Sequence, residues 1–362
     1  MFEEIIQSLE KWKSSAVPSI DCSVRLLDMG VVHFDVPTSQ TITIRNTGTA
    51  IAYWRFVPKV EETRECKNWI NLDVLQGLLL PGESSDVVVT VRVDVVTAQG
   101  LNAGKELLED VLVLSLESGH DFFVPVTASY KRSYMGMSLE ALVNAHGPVR
   151  ELPLPAVVRH EELLQDNGKA AELAQRQEKH ISKPPLSLPK EIWRLVDALV
   201  SGDALREKDL FAAPAVPEEL VTIREALDCG QEFTVACSPH SYAHALQDLL
   251  CALPVPLLAF ELYPVAEVET QQLRVWARRF LDALQPVQYN VFVYLCSFLR
   301  EVLALREFNR CTEERLVELC LQTMTSSSSP NYFLHRDEIA ARQARRLYMR
   351  PVLAYFLTTS SL

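Results

Sequence analysis

The sequence predicts an antiparallel β-sandwich followed by an all-α domain. Three observations carry that reading. Apolar residues alternate with period two through residues 19–130, a proline-rich junction follows, and from Lys190 the apolar period becomes helical. At 362 residues the chain has room for two domains of ordinary size.

The elements follow in order. MFEEIIQSLEKWK carries acids and lysines within its apolar stretch, so residues 1–18 read as an amphipathic helix and not a signal peptide. QTITIRN (40–46) alternates strictly. DVVVTVRVDVV (86–96) and EDVLVLSLES (109–118) are rich in valine and leucine, and DFFVPVTASY (121–130) follows at once. Turn signals separate these runs: NTG at 46–48, LPGESSD at 80–86 and SGHD at 118–121. About seven short strands at this spacing, with no helix of consequence between them, suggest an immunoglobulin-like sandwich over residues 19–136. The Cys…Trp…Cys signature of the disulfide-bonded forms is absent, which points to a cytosolic relative.

Residues 137–188 read as a short helix and a linker. Ser138 is a suitable N-cap for LEALV. GPVRELPLPAVV (147–158) and SKPPLSLPKE (182–191) flank one helical piece at 161–179. The helical domain spans 189–362. KEIWRLVDALV places Trp193, Val196, Asp197 and Val200 on one face, with Leu195 and Leu199 beside it. Further helices are predicted at 217–228, 239–252, 268–283, 286–305, 312–325 and 335–358.

Composition narrows the function. A net charge of −12 argues against nucleic acid, whose binders carry a basic domain or stripe. The run ARQARRLYMR (341–350) reads as a solvated helix face ahead of a phosphate or lipid patch. Eight cysteines lie scattered without CxxC spacing, which fits buried reduced thiols and not a zinc site or disulfide framework. His240 and His244 share a helical spacing, but only Cys237 is near as a third ligand, so a helix turn is the better reading than a metal site. No P-loop, GxGxxG or GxSxG occurs, and no cofactor is implied. No run of about 18 apolar residues suggests a membrane span. These residues offer binding surfaces and no catalytic constellation.

The order of segments carries a resemblance. EDVLVLSLESGHDFFVPVTASY, SLEALV, PKEIWRLVDALV, DLFAAP, ALPVPLLAFELY and YNVFVYLCSFLREVL fall in sequence along essentially the whole chain. They resemble the C-terminal half of the OCRL-type (type II) inositol polyphosphate 5-phosphatases. The resemblance implies an immunoglobulin-like ASH domain leading into a RhoGAP-like helical domain. The opening helix is similar to the last helix of that family's phosphatase domain. The phosphatase signatures WxGDxNYR and PxWCDRxL occur nowhere here, so phosphoinositide hydrolysis is not expected of these residues. It would belong to a longer product of the same gene. Whether the chain is a fragment or a stand-alone paralogue stays open, with Met1 favouring the second.

The resemblance also assigns sites. Active RhoGAP domains carry a G-x-F-R-type loop whose arginine enters the GTPase site, worth about a thousandfold or more in rate. Here that loop reads Asp209-Leu210-Phe211-Ala212, with Ala212 in the arginine's place. Gln247 and Arg315 stand where active members carry a lysine and an asparagine. The resemblance therefore implies that the helical domain binds partners, Rho-family GTPases among them, without activating them; the alternative is an active Rho-family GTPase-activating protein. Family members bind Rab GTPases through the ASH strand matching DFFVPV, where Phe123 corresponds to the buried aromatic and Gly119 to the turn glycine before it. Asn46 matches a functionally sensitive position, although Asn-Thr-Gly is a good turn and a structural role is the stronger reading. The face of Trp193, Val196 and Asp197 corresponds to a site for a helical endocytic-adaptor peptide containing Phe and His. Trp193 and Val196 would wall a slot for the Phe, and Asp197 would accept from the His. The family's clathrin box corresponds here to VVRHE (157–161), where Val157 and His160 depart from the motif and argue against clathrin binding. The expectation is a cytoplasmic, non-catalytic adaptor, peripheral on endosomal or Golgi membranes, with Rab GTPases and adaptor peptides as partners.

Overall fold

A computed structural model describes residues 18–152, 187–234, 236–325 and 336–359. The expected helical piece at 161–179, the clathrin-box match at 157–161 and nearly all of the expected 1–18 helix lie outside those residues. The chain divides into two compact units: residues 1–101 with 106–131, and residues 102–105 with 132–362.

The first unit is a two-sheet sandwich. One sheet has the order β1-β3-β7-β5, built from β1 (Ile20–Cys22), β3 (Thr38–Asn46), β7 (Ser84–Val91) and β5 (Ile70–Leu72). The other has the order β2-β9-β8-β4-β6, from β2 (Leu27–Val32), β9 (Phe122–Tyr130), β8 (Leu108–Leu116), β4 (Ala52–Val57) and β6 (Gln76–Leu79). Alternation decides which side chains meet between the sheets. Ile42, Ile44, Val87 and Val89 are buried on the first sheet, and Trp54, Leu112, Leu114, Val124 and Val126 on the second.

Two features depart from the expected pattern. The β2–β9 pair is parallel, with Leu27 opposite Val126 and Val32 opposite Tyr130. The chain leaves the first sheet after Cys22 and enters the second at Leu27, so β2 runs alongside the last strand instead of reversing in a hairpin. The valine run from Asp86 also ends early as a strand. Helix α1 (Val95–Asn102) follows β7, although no helix was expected among the strands. Asp94 starts it: its Oδ1 accepts the Thr97 N–H at 2.8 Å and its carbonyl accepts the Ala98 N–H at 2.9 Å.

The second unit is helical. It contains α2 (Leu139–Asn144), α3 (Lys190–Val200), α4 (Pro217–Asp228), α5 (Pro239–Cys251), α6 (Leu273–Ala283), α7 (Pro286–Ala304), α8 (Arg306–Asn309), α9 (Glu313–Met324) and α10 (Arg336–Thr358). Ser138 caps α2 by accepting the Ala141 N–H, as its position suggested. α5 packs against α3, α4 and α9, while α10 closes on α9, α7 and α6. Phe280, Phe292 and Phe356 meet at ring-centroid distances of 5.0–5.7 Å and fix α6, α7 and α10 to one another. The Arg-rich run is not a uniformly solvated face. Arg345 donates to the carbonyls of Tyr263 and Pro264, and Arg346 to that of Leu321. These guanidiniums satisfy carbonyls of the segment after Phe260 and in the last turn of α9. All eight cysteines are free, and Cys66, Cys296, Cys311 and Cys320 are buried.

The segment after β9 is anchored to α4. Arg150 pairs with Glu225, and its guanidinium lies 3.2 Å from Asp228. Asp228 is buried and accepts the Tyr134 N–H at 2.8 Å. Burial pushes its carboxyl up to about 7, against the opposing pull of the Tyr134 N–H and the Arg150 charge.

Candidate functional site

In the sandwich, the site begins with which way β9 turns its aromatics. Val124 and Val126 point into the core, so Phe123 points out, and it is 64% exposed. Its cross-strand neighbour is Val113 of β8. β2 pairs with β9 only from Val126 onward. Among the described residues no strand pairs with the other edge of Phe122–Val124, leaving backbone groups beside an outward aromatic. Gly119 closes the β8–β9 turn and donates to the Leu116 carbonyl at 3.0 Å. A Cβ there would lie 2.4 Å from Leu116 Cδ2, so packing within the turn demands glycine. Asn46 is buried and holds its own turn. Its amide donates to Ala50 O and Leu79 O, and its Oδ1 accepts the Gly48 N–H.

In the helical unit, α3 presents Trp193, Asp197 and Val200 to solvent, with Trp193 50% exposed. Val196 departs from the expected arrangement. It is 3% exposed and joins Ile192, Leu195 and Leu199 in the core, so it cannot form an open wall of a peptide slot. The reason is angular: at about 100° per residue Val196 is turned some 60° from Trp193 toward the buried side. Sequence reasoning also missed Tyr294 of α7. Its hydroxyl is pushed above the usual tyrosine range by burial first and by the charge of Asp197 second.

The loop from Ala204 to Val216 is held from several sides. Asp209 adopts a left-handed φ of 57°, and its carbonyl accepts the N–H groups of Ala212 and Ala213 at 2.8 and 2.9 Å. The Asp209 N–H donates to Asn309 O. Asn309 is itself buried, its amide donating to Leu205 O and Val302 O. Leu210 is buried, and Phe211 meets Phe298 edge-on at 6.4 Å. Ala212 is exposed at the tip, with a methyl group alone. Gln247 folds back onto the Ala243 carbonyl of its own helix at 3.3 Å and lines a small apolar cavity with Phe211 and Phe298.

Two neighbours of this loop were not foreseen. Arg315 reaches Asp209 at 3.4 Å and also donates to Arg310 O. His240 brings Nδ1 to 3.3 Å from Leu210 O and Nε2 to 3.8 Å from Glu207, while His244 turns Nδ1 to the His240 carbonyl. The two histidines thus bond to backbone and loop groups and do not converge. Pairs separated by 30 to 106 residues leave no local sequence signal.

Comparison with known proteins follows these divisions. Residues 22–130 match the family described as "Inositol polyphosphate 5-phosphatase OCRL-like, ASH domain", and residues 189–328 match the RhoGAP domain. The chain is 31% identical over 317 residues to the type II inositol 1,4,5-trisphosphate 5-phosphatase of Mus musculus, covering 88% of this chain and 31% of that protein. It is 29% identical over 168 residues to Rho GTPase-activating protein 17 of Homo sapiens, covering 40% of this chain and 19% of that one. The crystal structure of human Rho GTPase activating protein 15 overlays with a TM-score of 0.39 at 14% identity, over 47% of this chain and 81% of that chain, a likeness too loose to carry an argument. The chain spans less than a third of the length of either curated relative.

Proposed function

We propose that this chain, an OCRL-like ASH domain followed by a RhoGAP domain, is a non-catalytic adaptor. It binds a Rab GTPase through the ASH domain and a Phe- and His-containing adaptor peptide through the helical one, at endosomal or Golgi membranes. The carrying observation is Ala212: the loop around it is fixed by backbone and side-chain bonds, yet its tip holds no guanidinium. A methyl group cannot stabilise charge developing on a transferring phosphoryl group. The helical domain can therefore hold a Rho-family GTPase without speeding hydrolysis. The same absence of signatures makes phosphoinositide hydrolysis the work of a domain these residues do not contain.

The free edge at Phe122–Val124 with Phe123 outward supports the Rab surface, because a strand can add to that edge while its partner buries the ring. Exposed Trp193, one turn from exposed Asp197, supports the peptide surface. Val196 lies buried beneath this face and packs the core of the helical unit. A pull-down panel of Rab GTPases tests the first surface, with Phe123→Val as control. The reading expects at least one GTP-loaded Rab to be retained by the wild type and lost by the variant. Retention of none, or equal retention by both proteins, contradicts it.

A second reading, an active GTPase-activating protein, has one observation in its favour. Arg315 brings a guanidinium to Asp209, three residues before Ala212. If it served as a substitute, GTP hydrolysis by Rac or Cdc42 would rise with the wild-type chain and fall back with Arg315→Gln.

A further inference from the structure

The arginines at 345 and 346 are consumed by backbone carbonyls, and Arg350 by Glu318. Free cations lie elsewhere, on α6. Arg274, Arg278 and Arg279 are all exposed, and among the described residues none of them makes an ion pair or side-chain hydrogen bond. At about 100° per residue they occupy one arc of roughly 140° together with Val275. Val275 is 58% exposed between these guanidiniums. The opposite face is fixed: Leu273, Ala277 and Phe280 are buried, and Trp276 stacks on Phe280 at 5.3 Å. Asp282 falls within the same arc, one turn beyond Arg278, so three arginines stand against one carboxylate on a chain whose net charge is −12. Glu267 and Glu269 precede the helix in sequence and do not interrupt it.

We propose that this arc of α6 is a docking surface for an anionic lipid bilayer. Arg274 and Arg278, one turn apart, repel each other, and an anionic partner would relieve that repulsion. Their planar forks suit phosphate oxygens. The surface is the convex face of one helix and not a groove between two, so it meets a plane better than it seats an acidic peptide. Val275 adds an aliphatic group at the depth of the headgroups, as in interfacial helices. The inference is independent of the Rab and peptide surfaces, because it uses neither the sandwich nor α3.

The test is flotation of the full chain with vesicles of phosphatidylcholine alone and of phosphatidylcholine with about 30 mol % phosphatidylserine. Wild type is expected on the anionic vesicles only, with retention falling as salt rises from about 0.05 to 0.3 M. The triple variant R274Q/R278Q/R279Q should lose about tenfold or more in apparent affinity, while R25Q/R45Q, which removes two exposed arginines of the sandwich, should bind as wild type. Circular-dichroism melting confirms that each variant folds. No flotation, equal flotation on neutral vesicles, or an unaffected triple variant overturns the proposal, as does capture by an acidic peptide without capture by vesicles.

Discussion

In the proposed reading Ala212 offers a methyl group where catalysis would require a charged donor, while the loop around it is held by backbone bonds from Asp209 and Asn309. The same contrast between site and scaffold separates the other candidate residues. Phe123 and Trp193 are exposed, so truncating either should cost little stability and all of the binding assigned to it. Trp193→Ala is expected to abolish peptide binding in calorimetric titration while the melt stays cooperative; unchanged affinity contradicts the assignment. Val196→Ala tests the opposite role. It removes a buried side chain and should destabilise by about 2 kcal/mol, with peptide affinity changed little. Gly119→Ala should cost about 1–3 kcal/mol through the Cβ clash with Leu116. A denaturation midpoint equal to wild type would show that the turn can open to admit a Cβ.

At the scale of elements, the segment that joins α4 through Arg150 and Asp228 carries a pH dependence. An unfolded Asp loses its proton in the ordinary carboxylate range, whereas Asp228 in the fold holds its proton up to about 7. Between those limits the folded state binds more protons than the unfolded one, so stability falls as pH rises from about 4 to about 7. Glu191, buried and likewise pushed up by burial, adds in the same direction. Asp228→Asn should flatten the slope of unfolding free energy against pH over that interval; an unchanged slope would remove Asp228 from the account. Other elements show how far local sequence reaches. Alternation in DFFVPV said that only one of Phe122 and Phe123 lies inside, and the resemblance, not the period, pointed to Phe123; the cap of α2 followed from one serine. Helix α1 was hidden because valine-rich sequence favours strands, and only the Asp94 cap redirected it. The parallel β2–β9 pair was hidden because the crossing between sheets leaves no periodic trace.

For the whole molecule, the change of hydrophobic period at Lys190 and the order of motifs made both domain types legible, and the ASH and RhoGAP matches agree with that division. What stayed illegible was made by contacts distant in sequence: Arg315 with Asp209, and Arg345 with the carbonyls before α6. The acidic net charge likewise concealed the local arginine arc, because composition averages over faces that a ligand meets one at a time. The central claim is that the helical domain grips without accelerating. Single-turnover hydrolysis of GTP by Rac or Cdc42, with and without saturating chain, tests it most directly. The account predicts equal rates within error, whereas acceleration approaching the roughly thousandfold effect of an arginine finger would contradict it.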